Sequence, residues 1–128
     1  MAASLHGQTI LIVEDEPFIA LDMEATLTAA GAEVISTQHL GEAFEAAQNA
    51  DISAAVLDVN LGGEGDCAPL CEVLARRQVP FIFHTGYMDG GPLAKWLRPV
   101  VAKPATRDEL LDCLAGALFR PRISDANA

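Results

Sequence analysis

The sequence predicts an α/β domain in which one doubly wound sheet of five parallel strands is covered by helices on both faces. Short apolar runs alternate five times with segments of helical periodicity, which is typical of parallel strands joined by crossover helices. One run, residues 54–57, is apolar at every position and indicates a strand buried on both faces. We expect the strand order 2-1-3-4-5, because it is a common order for such sheets.

The composition indicates a single domain of 128 residues, of which 51% are hydrophobic. We expect residues 9–119 to form the core of this domain and residues 1–8 and 121–128 to be flexible tails. The net charge of −10 argues against nucleic-acid binding, which requires a basic surface. No apolar run is long enough to span a membrane, and no signal peptide is visible. Three cysteines, an odd number, indicate reduced thiols and a cytoplasmic location.

The first strand is predicted at residues 9–13, where β-branched residues are frequent. An acidic turn and Pro17 follow, and both are favoured at the start of a helix. The helix is expected to end at Gly31, since glycine is common just after a helix C-terminus. Its predicted apolar face consists of Phe18, Ile19, Leu21, Met23 and Leu27.

The second strand, residues 33–37, is more polar than the first, so we expect it nearer an edge of the sheet. The following segment, residues 40–50, is rich in alanine and predicts a helix with Phe44 and Ala47 facing the core. The third strand, residues 54–57, then leads to Asp58 and a glycine-rich loop.

Residues 67–77 predict the third helix, with Leu70, Val73 and Leu74 toward the core. Residues 79–86 predict the fourth strand. The glycines and proline in the segment from Asp89 to Pro92 disfavour a helix there, so only a short fourth helix is predicted, at residues 93–97.

Residues 99–104 predict the fifth strand and lead into the last helix. Thr106 and Glu109 have the spacing of a helix capping box, in which each side chain bonds the backbone of the other residue. The apolar face of this last helix is predicted to contain Leu110, Leu111, Leu114, Leu118 and Phe119.

Functional side chains follow four of the predicted strands. Glu14 and Asp15 follow the first strand, Asp58 the third, Thr85 closes the fourth and Lys103 the fifth. The carboxyl ends of parallel strands meet at one edge of a sheet, and ligands of open α/β sheets bind there. Three crowded carboxylates raise one another's pKa unless a cation is present, and hard oxygen ligands suit Mg²⁺.

A lysine and a hydroxyl beside such carboxylates can bind the oxygens of a transferring phosphoryl group. A carboxylate can itself act as the nucleophile and form an aspartyl phosphate. The position of Asp58, at the end of a fully apolar strand, makes it the candidate nucleophile.

These residues, taken together and in order, resemble those of a bacterial response-regulator receiver domain, which has a flavodoxin-like fold. The matching motifs are Glu14-Asp15, Leu57-Asp58-Val59-Asn60, Thr85-Gly86 and Lys103-Pro104. The resemblance implies that Asp58 is the phosphoacceptor. It implies a Mg²⁺ site formed by Glu14, Asp15, Asp58 and the backbone carbonyl of Asn60, and phosphoryl contacts from Thr85 and Lys103. The family usually has a cis peptide bond before the proline that matches Pro104.

The segment Phe83-His84-Thr85-Gly86-Tyr87 resembles a Phe-Ala-Thr-Gly motif in a subgroup of mostly stand-alone receivers with a reduced fourth helix. His84 replaces the usual alanine of that motif. Val100 stands where many receivers carry an aromatic residue that moves on activation. We therefore treat His84, Val100 and Tyr87 as possible modulators, and Tyr87 as a residue that controls water access to the phosphoryl group.

The resemblance implies a switch rather than an enzyme, with chemistry limited to its own phosphorylation and dephosphorylation. The expected phosphodonor is a histidine kinase or a histidine phosphotransfer protein, which contacts the first helix. The output is an unidentified downstream protein contacting the region 87–118, or the domain is a phosphate sink. The domain is expected to be a monomer or a phosphorylation-dependent dimer.

Two other functions remain open. A pseudo-receiver would bind partners without being phosphorylated, although the complete set of acidic, hydroxyl and lysine residues argues against it. A hydrolase of the haloacid-dehalogenase type would need a second acid where Asn60 stands, and it would need a cap domain.

Several side chains are expected to have structural rather than chemical roles. His84 is interpreted as a half-buried, hydrogen-bonded residue, and Trp96 as packing for the short helix. Cys67 and Cys71 are four residues apart and share a helix face, but no other soft ligand accompanies them.

Overall fold

A computed structural model describes residues 4–58, 67–86, 96 and 98–119. The strands are β1 (Thr9–Val13), β2 (Glu33–Thr37), β3 (Ala54–Leu57), β4 (Phe81–Thr85) and β5 (Val100–Ala102). The helices of the described ranges are α1 (Pro17–Ala29), α2 (Leu40–Asn49), α3 (Ala68–Arg76) and α4 (Arg107–Phe119). The strands are all parallel and form a sheet in the order β2-β1-β3-β4-β5. The predicted fold is confirmed.

The register of the sheet places the strand ends at one level. Val13 pairs with Leu57, Leu57 with Phe83, and Phe83 with Val100. Glu14 and Asp58 each follow one of these residues, so they lie side by side at the carboxyl edge of the sheet. His84 is the next residue of β4 at the same level.

The core has one layer on each face of the sheet, and alternate strand residues enter opposite layers. Phe81 and Phe83 belong to the layer that contains the buried residues of α2 and α3. Ile82 and Val101 belong to the layer that contains the buried residues of α1 and α4. His84 has the same parity as Ile82, which places it on the side of α1 and α4.

Helix α1 is capped at both ends by local hydrogen bonds. The Glu16 side chain accepts bonds from the backbone N–H groups of Phe18 (2.8 Å) and Ile19 (3.0 Å), ahead of a proline at the first helical position. At the other end, Gly31 has φ +103°, a conformation that favours glycine, as expected at the predicted helix end.

The predicted apolar face of α1 is partly wrong. Phe18 is 81% exposed and Leu21 is 63% exposed, whereas Ala20, Met23, Thr26 and Leu27 are buried. The sheet covers only one side of the helix, and residues 18 and 21 are turned away from the side that carries residues 20, 23 and 27. Phe119, the last residue of α4, is 57% exposed and was also wrongly assigned to the core.

The segment before β1 packs against the core. Leu5 is fully buried, and its backbone N–H donates to the carbonyl of Ala30 (2.8 Å). The sequence did not reveal this contact. The predictions for Asn60, Tyr87, the loop 62–66 and the short helix 93–97, apart from Trp96, lie outside the described residues.

Trp96 packs edge-to-face against Phe81, with ring centroids 5.9 Å apart. It therefore contributes to the layer beneath α2 and α3. In the described part of the chain, no helix has both the length and the apolar character needed to cross a membrane.

Candidate functional site

Three carboxylates meet at the carboxyl edge of the sheet, as the strand order predicts. One oxygen from each of Glu14, Asp15 and Asp58 lies within 4.8 Å of the other two. Glu14 is fully buried, Asp58 is 5% exposed and Asp15 is partly exposed. The backbone N–H of Asp58 donates to Val13 (2.9 Å) and that of Glu14 to Thr37 (3.0 Å), so adjacent strands fix both residues.

Glu14 is held by contacts to both carboxylate oxygens. Its Oε2 accepts a hydrogen bond from the backbone N–H of Glu16 (3.1 Å), and its Oε1 lies 2.8 Å from the Lys103 ammonium. Burial raises the pKa of Glu14, and the nearby Asp58 charge raises it further, against the opposing effects of Lys103 and the Glu16 N–H. A carboxylate in this position is costly without added positive charge.

Lys103 joins the first carboxylate to the proposed nucleophile. Its Nζ lies 2.8 Å from Glu14 Oε1 and 3.1 Å from Asp58 Oδ2. Burial alone would lower the pKa of Lys103, but its hydrogen bonds to Glu14 and Asp58 and the negative charges of these carboxylates outweigh burial and raise it. Lys103 also opposes the rise in the Glu14 pKa, but this ammonium is shared with Asp58 and the effect of burial on Glu14 is larger.

The neighbouring backbone holds Lys103 at the end of β5. Its N–H donates to the carbonyl of Thr85 (3.0 Å), and the Lys103–Pro104 peptide bond is cis. Thr85 is fully buried at the end of β4. The structure therefore brings Glu14, Asp15, Asp58, Thr85 and Lys103 to one edge of the sheet. Val100 lies in β5 and is partly buried against the layer beneath α2 and α3.

His84 differs from expectation. It is only 5% exposed, and its Nδ1 has no hydrogen-bond partner among the residues that the structure describes. The nearest carboxylate oxygen, Glu14 Oε1, is 3.9 Å from Nδ1. Burial lowers the pKa of His84, the Lys103 charge lowers it further, and the Asp58 charge acts in the opposite direction. The prediction of a half-buried, hydrogen-bonded residue is wrong in its exposure and for Nδ1, because the end of β4 buries the imidazole with its nearest carboxylate oxygen beyond bonding distance.

The donor set fits a small divalent cation. The three carboxylates supply hard oxygen ligands and more negative charge than Lys103 alone can neutralise. Asp15 keeps some exposure, which leaves access for a hydrated ion. The buried thiols of Cys67 and Cys71, 3.9 Å apart in sulfur position, lie on one face as predicted and form no three-residue cluster with other ligands in the described ranges.

Sequence reasoning missed the role of Glu16. Its side chain caps α1 while its backbone N–H binds Glu14, so the helix start and the acidic cluster are coupled. The available signal was an acid immediately before Pro17, since acidic residues and proline are both favoured at the start of a helix.

Comparison with known proteins identifies the family. The family model of the response regulator receiver domain matches residues 10–115. The chain belongs to the response regulator receiver family. No curated protein matches its sequence.

Solved receiver domains have the same fold. The receiver domain of sensor histidine kinase PA1611 from Pseudomonas aeruginosa, which has a magnesium ion in its active-site cleft, is 28% identical with a TM-score of 0.77; the match covers 88% of this chain and 98% of that one. A receiver protein from Sinorhizobium medicae is 25% identical with a TM-score of 0.76, over 91% and 98% of the two chains. The receiver domain of a modulated diguanylate cyclase from Desulfovibrio desulfuricans is 28% identical with a TM-score of 0.77, over 88% and 94%.

Receiver domains are generally not catalytic enzymes. They interact with histidine kinases or phosphotransfer proteins. The acidic cluster of this receiver can bind a metal.

Proposed function

We propose that this receiver domain accepts a phosphoryl group on Asp58 from a histidine kinase or a histidine phosphotransfer protein. The observation that carries the proposal is the position of Lys103, whose Nζ bridges Glu14 Oε1 (2.8 Å) and Asp58 Oδ2 (3.1 Å) beside Asp15. This arrangement joins a carboxylate nucleophile, a cation for the transferred oxygens and an acidic metal site within one small volume.

Asp58 supplies the nucleophilic oxygen. One Oδ forms a bond to phosphorus while the bond from phosphorus to the donor imidazole nitrogen breaks, and the electron pair of that bond stays on the nitrogen. The backbone bond from Asp58 to Val13 (2.9 Å) holds the side chain at the sheet edge during this exchange.

Lys103 and Thr85 bind the transferred group. Lys103 moves from the Glu14 carboxylate to one phosphoryl oxygen, and the Thr85 hydroxyl donates to another. Glu14, Asp15, Asp58 and the Asn60 carbonyl would hold Mg²⁺, which when bound neutralises the charge that accumulates during transfer.

The surface of α1 supports contact with the phosphodonor. Phe18 is 81% exposed and Leu21 is 63% exposed, and large apolar side chains grouped on a surface are typical of protein contacts. The signal then passes to a downstream protein, or the domain drains phosphate from the pathway.

The proposal is tested by incubation with acetyl phosphate and Mg²⁺, followed by intact mass spectrometry. Wild type and Asp51→Asn, a matched change at an exposed acid outside the site, should both gain one phosphoryl group. Asp58→Asn should gain none. If wild type gains none while it remains folded, the domain acts as a pseudo-receiver. Steady release of phosphate from esters would instead indicate a hydrolase.

A further inference from the structure

His84 carries a buried polar atom without a partner. Its Nδ1 is inaccessible to solvent, makes no hydrogen bond within the described ranges, and lies 3.9 Å from Glu14 Oε1. That separation is roughly 0.7 Å beyond the upper limit of about 3.2 Å for an N–H···O bond. Buried polar atoms are rarely left unpaired, because without a hydrogen bond nothing offsets the free-energy cost of removing them from water.

The geometry favours a proton on this nitrogen. A carboxylate oxygen only accepts hydrogen bonds, so a neutral imidazole that faces Glu14 Oε1 is favoured with its hydrogen on Nδ1. His84 is thus a potential donor to Glu14, held just out of reach.

In the resting protein, Glu14 Oε1 is paired with the Lys103 charge but, like His84 Nδ1, has no hydrogen bond of good geometry among the described residues. Its partner oxygen, Oε2, already accepts from the Glu16 N–H (3.1 Å), whereas Oε1 faces Lys103 Nζ (2.8 Å) and His84 Nδ1 (3.9 Å). When Lys103 moves to a phosphoryl group, a fully buried carboxylate oxygen loses its nearest positive charge. Even with a metal bound, Glu14 Oε1 can accept a hydrogen bond. A carboxylate oxygen has two lone pairs, and carboxylates that bind metals are commonly hydrogen-bonded as well.

The imidazole lies beside a cleft. His84 borders a cleft of about 500 Å³ between α1 and the segment from Lys103 to α4, lined in part by Phe18, Ile19, Met23, Pro104 and Leu110. His84 is 5% exposed, so it borders the cleft without opening into it, and the shift that would bring Nδ1 within hydrogen-bond distance of Glu14 is less than about 1 Å.

We infer that His84 is a positioning residue that donates its Nδ1–H to Glu14 Oε1 when Lys103 turns to the phosphoryl group on Asp58. The inference rests on the proposed function. His84 keeps the Glu14 carboxylate oriented and satisfied in the phosphorylated state, and it makes no such bond in the resting state. Removal of the donor should therefore slow phosphorylation more than it weakens binding of Mg²⁺ to the resting protein.

Two substitutions separate the hydrogen bond from packing. His84→Asn places an amide N–H near the position of Nδ1, whereas His84→Leu fills the space with an apolar group of similar size. At saturating acetyl phosphate and Mg²⁺, His84→Leu should be phosphorylated about ten-fold more slowly than wild type, the effect of one hydrogen bond to a charged group. His84→Asn should stay within about three-fold of wild type, and the Mg²⁺ Kd should change less than about two-fold in both. If His84→Leu fails to fold in thermal melts, His84→Ala takes its place.

A second readout does not depend on the reaction. Nitrogen-15 spectra of the histidine rings, with and without Mg²⁺ and the phosphoryl analogue beryllofluoride, should show a newly hydrogen-bonded Nδ1–H that is absent from His84→Leu. Equal phosphorylation rates for His84→Leu and His84→Asn would overturn the inference while leaving the proposed function intact. An unchanged His84 signal after addition of Mg²⁺ and beryllofluoride would do the same. A wild type that neither gains a phosphoryl group nor binds beryllofluoride would overturn both.

Discussion

At the scale of single residues, the site has more negative charge than Lys103, its lysine among the described residues, can balance. Glu14, Asp15 and Asp58 lie within 4.8 Å of one another, and Lys103 contacts Glu14 and Asp58. If the site binds a cation and a phosphoryl group as proposed, this excess of negative charge should lower the stability of the protein in their absence.

A substitution of Asp15 provides the simplest test of whether the acidic cluster lowers the stability of the metal-free protein. Asp15→Asn removes one charge without removing a carboxylate that contacts Lys103, so it should raise the free energy of unfolding by about 0.5–1 kcal/mol without Mg²⁺. The same substitution should weaken Mg²⁺ binding. Urea unfolding with and without Mg²⁺ measures both effects, with Asp51→Asn as the control. Lower stability of Asp15→Asn in the absence of metal would contradict this account.

Glu14 should make stability depend on pH. Its folded-state pKa is raised by burial, so the folded protein binds the Glu14 proton more tightly than the unfolded chain does. This contribution to stability is complete below the ordinary value of 4.5 and is lost as pH rises through the folded-state value.

Comparison of wild type with Glu14→Gln isolates that contribution, because most other groups cancel. Between pH 4 and 7 without Mg²⁺, the free energy of unfolding of wild type should fall relative to that of Glu14→Gln. Urea unfolding at several pH values measures the difference. A difference that is flat, or that grows in favour of wild type with pH, would show that Glu14 is not destabilised by burial.

At the scale of elements, local signals fix the ends of the helices. The predicted capping box of α4 is confirmed: Glu109 N–H donates to Thr106 Oγ1 (3.1 Å), and Thr106 N–H donates to Glu109 Oε1 (2.8 Å). The hydrogen bonds from the Thr106 backbone and side chain lower the pKa of Glu109.

Thr106→Ala should lower the free energy of unfolding by about 1 kcal/mol, as expected for loss of a helix N-cap. Thr28→Ala, at an exposed position within α1, is the matched control and should change stability little or raise it slightly. Thermal or urea unfolding of the two variants measures the contrast. An equal effect at both positions would mean that the box adds nothing to α4.

The proposed contact of α1 with the phosphodonor predicts a role for its exposed apolar residues. Phe18→Ser should reduce the rate of phosphotransfer from a cognate kinase or phosphotransfer protein by about ten-fold at low donor concentration, as loss of an apolar contact residue does. Phosphorylation by acetyl phosphate should not change, because the small donor needs no docking surface. Phe119→Ser removes a similarly exposed phenylalanine at the end of α4 and serves as the control. Equal loss with both variants would place the donor elsewhere.

At the scale of the whole molecule, the sequence predicts the sheet well because each strand carries its own signal. The apolar runs fix the strands, and the polar residues that follow them mark one edge, so the meeting of Glu14, Asp58 and Lys103 follows from strand order. The strand order itself came from the general behaviour of such sheets rather than from the residues.

The sequence does not predict contacts that depend on how separate elements pack against one another. The apolar residues of α1 cannot show that the sheet leaves Phe18 and Leu21 uncovered. The contact of Leu5 with Ala30 joins residues far apart in the chain. The environment of His84 depends on the register of three strands, so only the folded molecule shows its distance of 3.9 Å from Glu14.

The most direct test of the central claim is to trap the phosphorylated residue chemically. Borohydride reduces an aspartyl phosphate to homoserine, and peptide mass spectrometry then locates the change in the chain. After treatment with acetyl phosphate and Mg²⁺, we predict homoserine in place of Asp58 and at no other acid. Homoserine at another position, or its absence from a folded wild-type protein, would contradict the assignment of Asp58 as the phosphoacceptor.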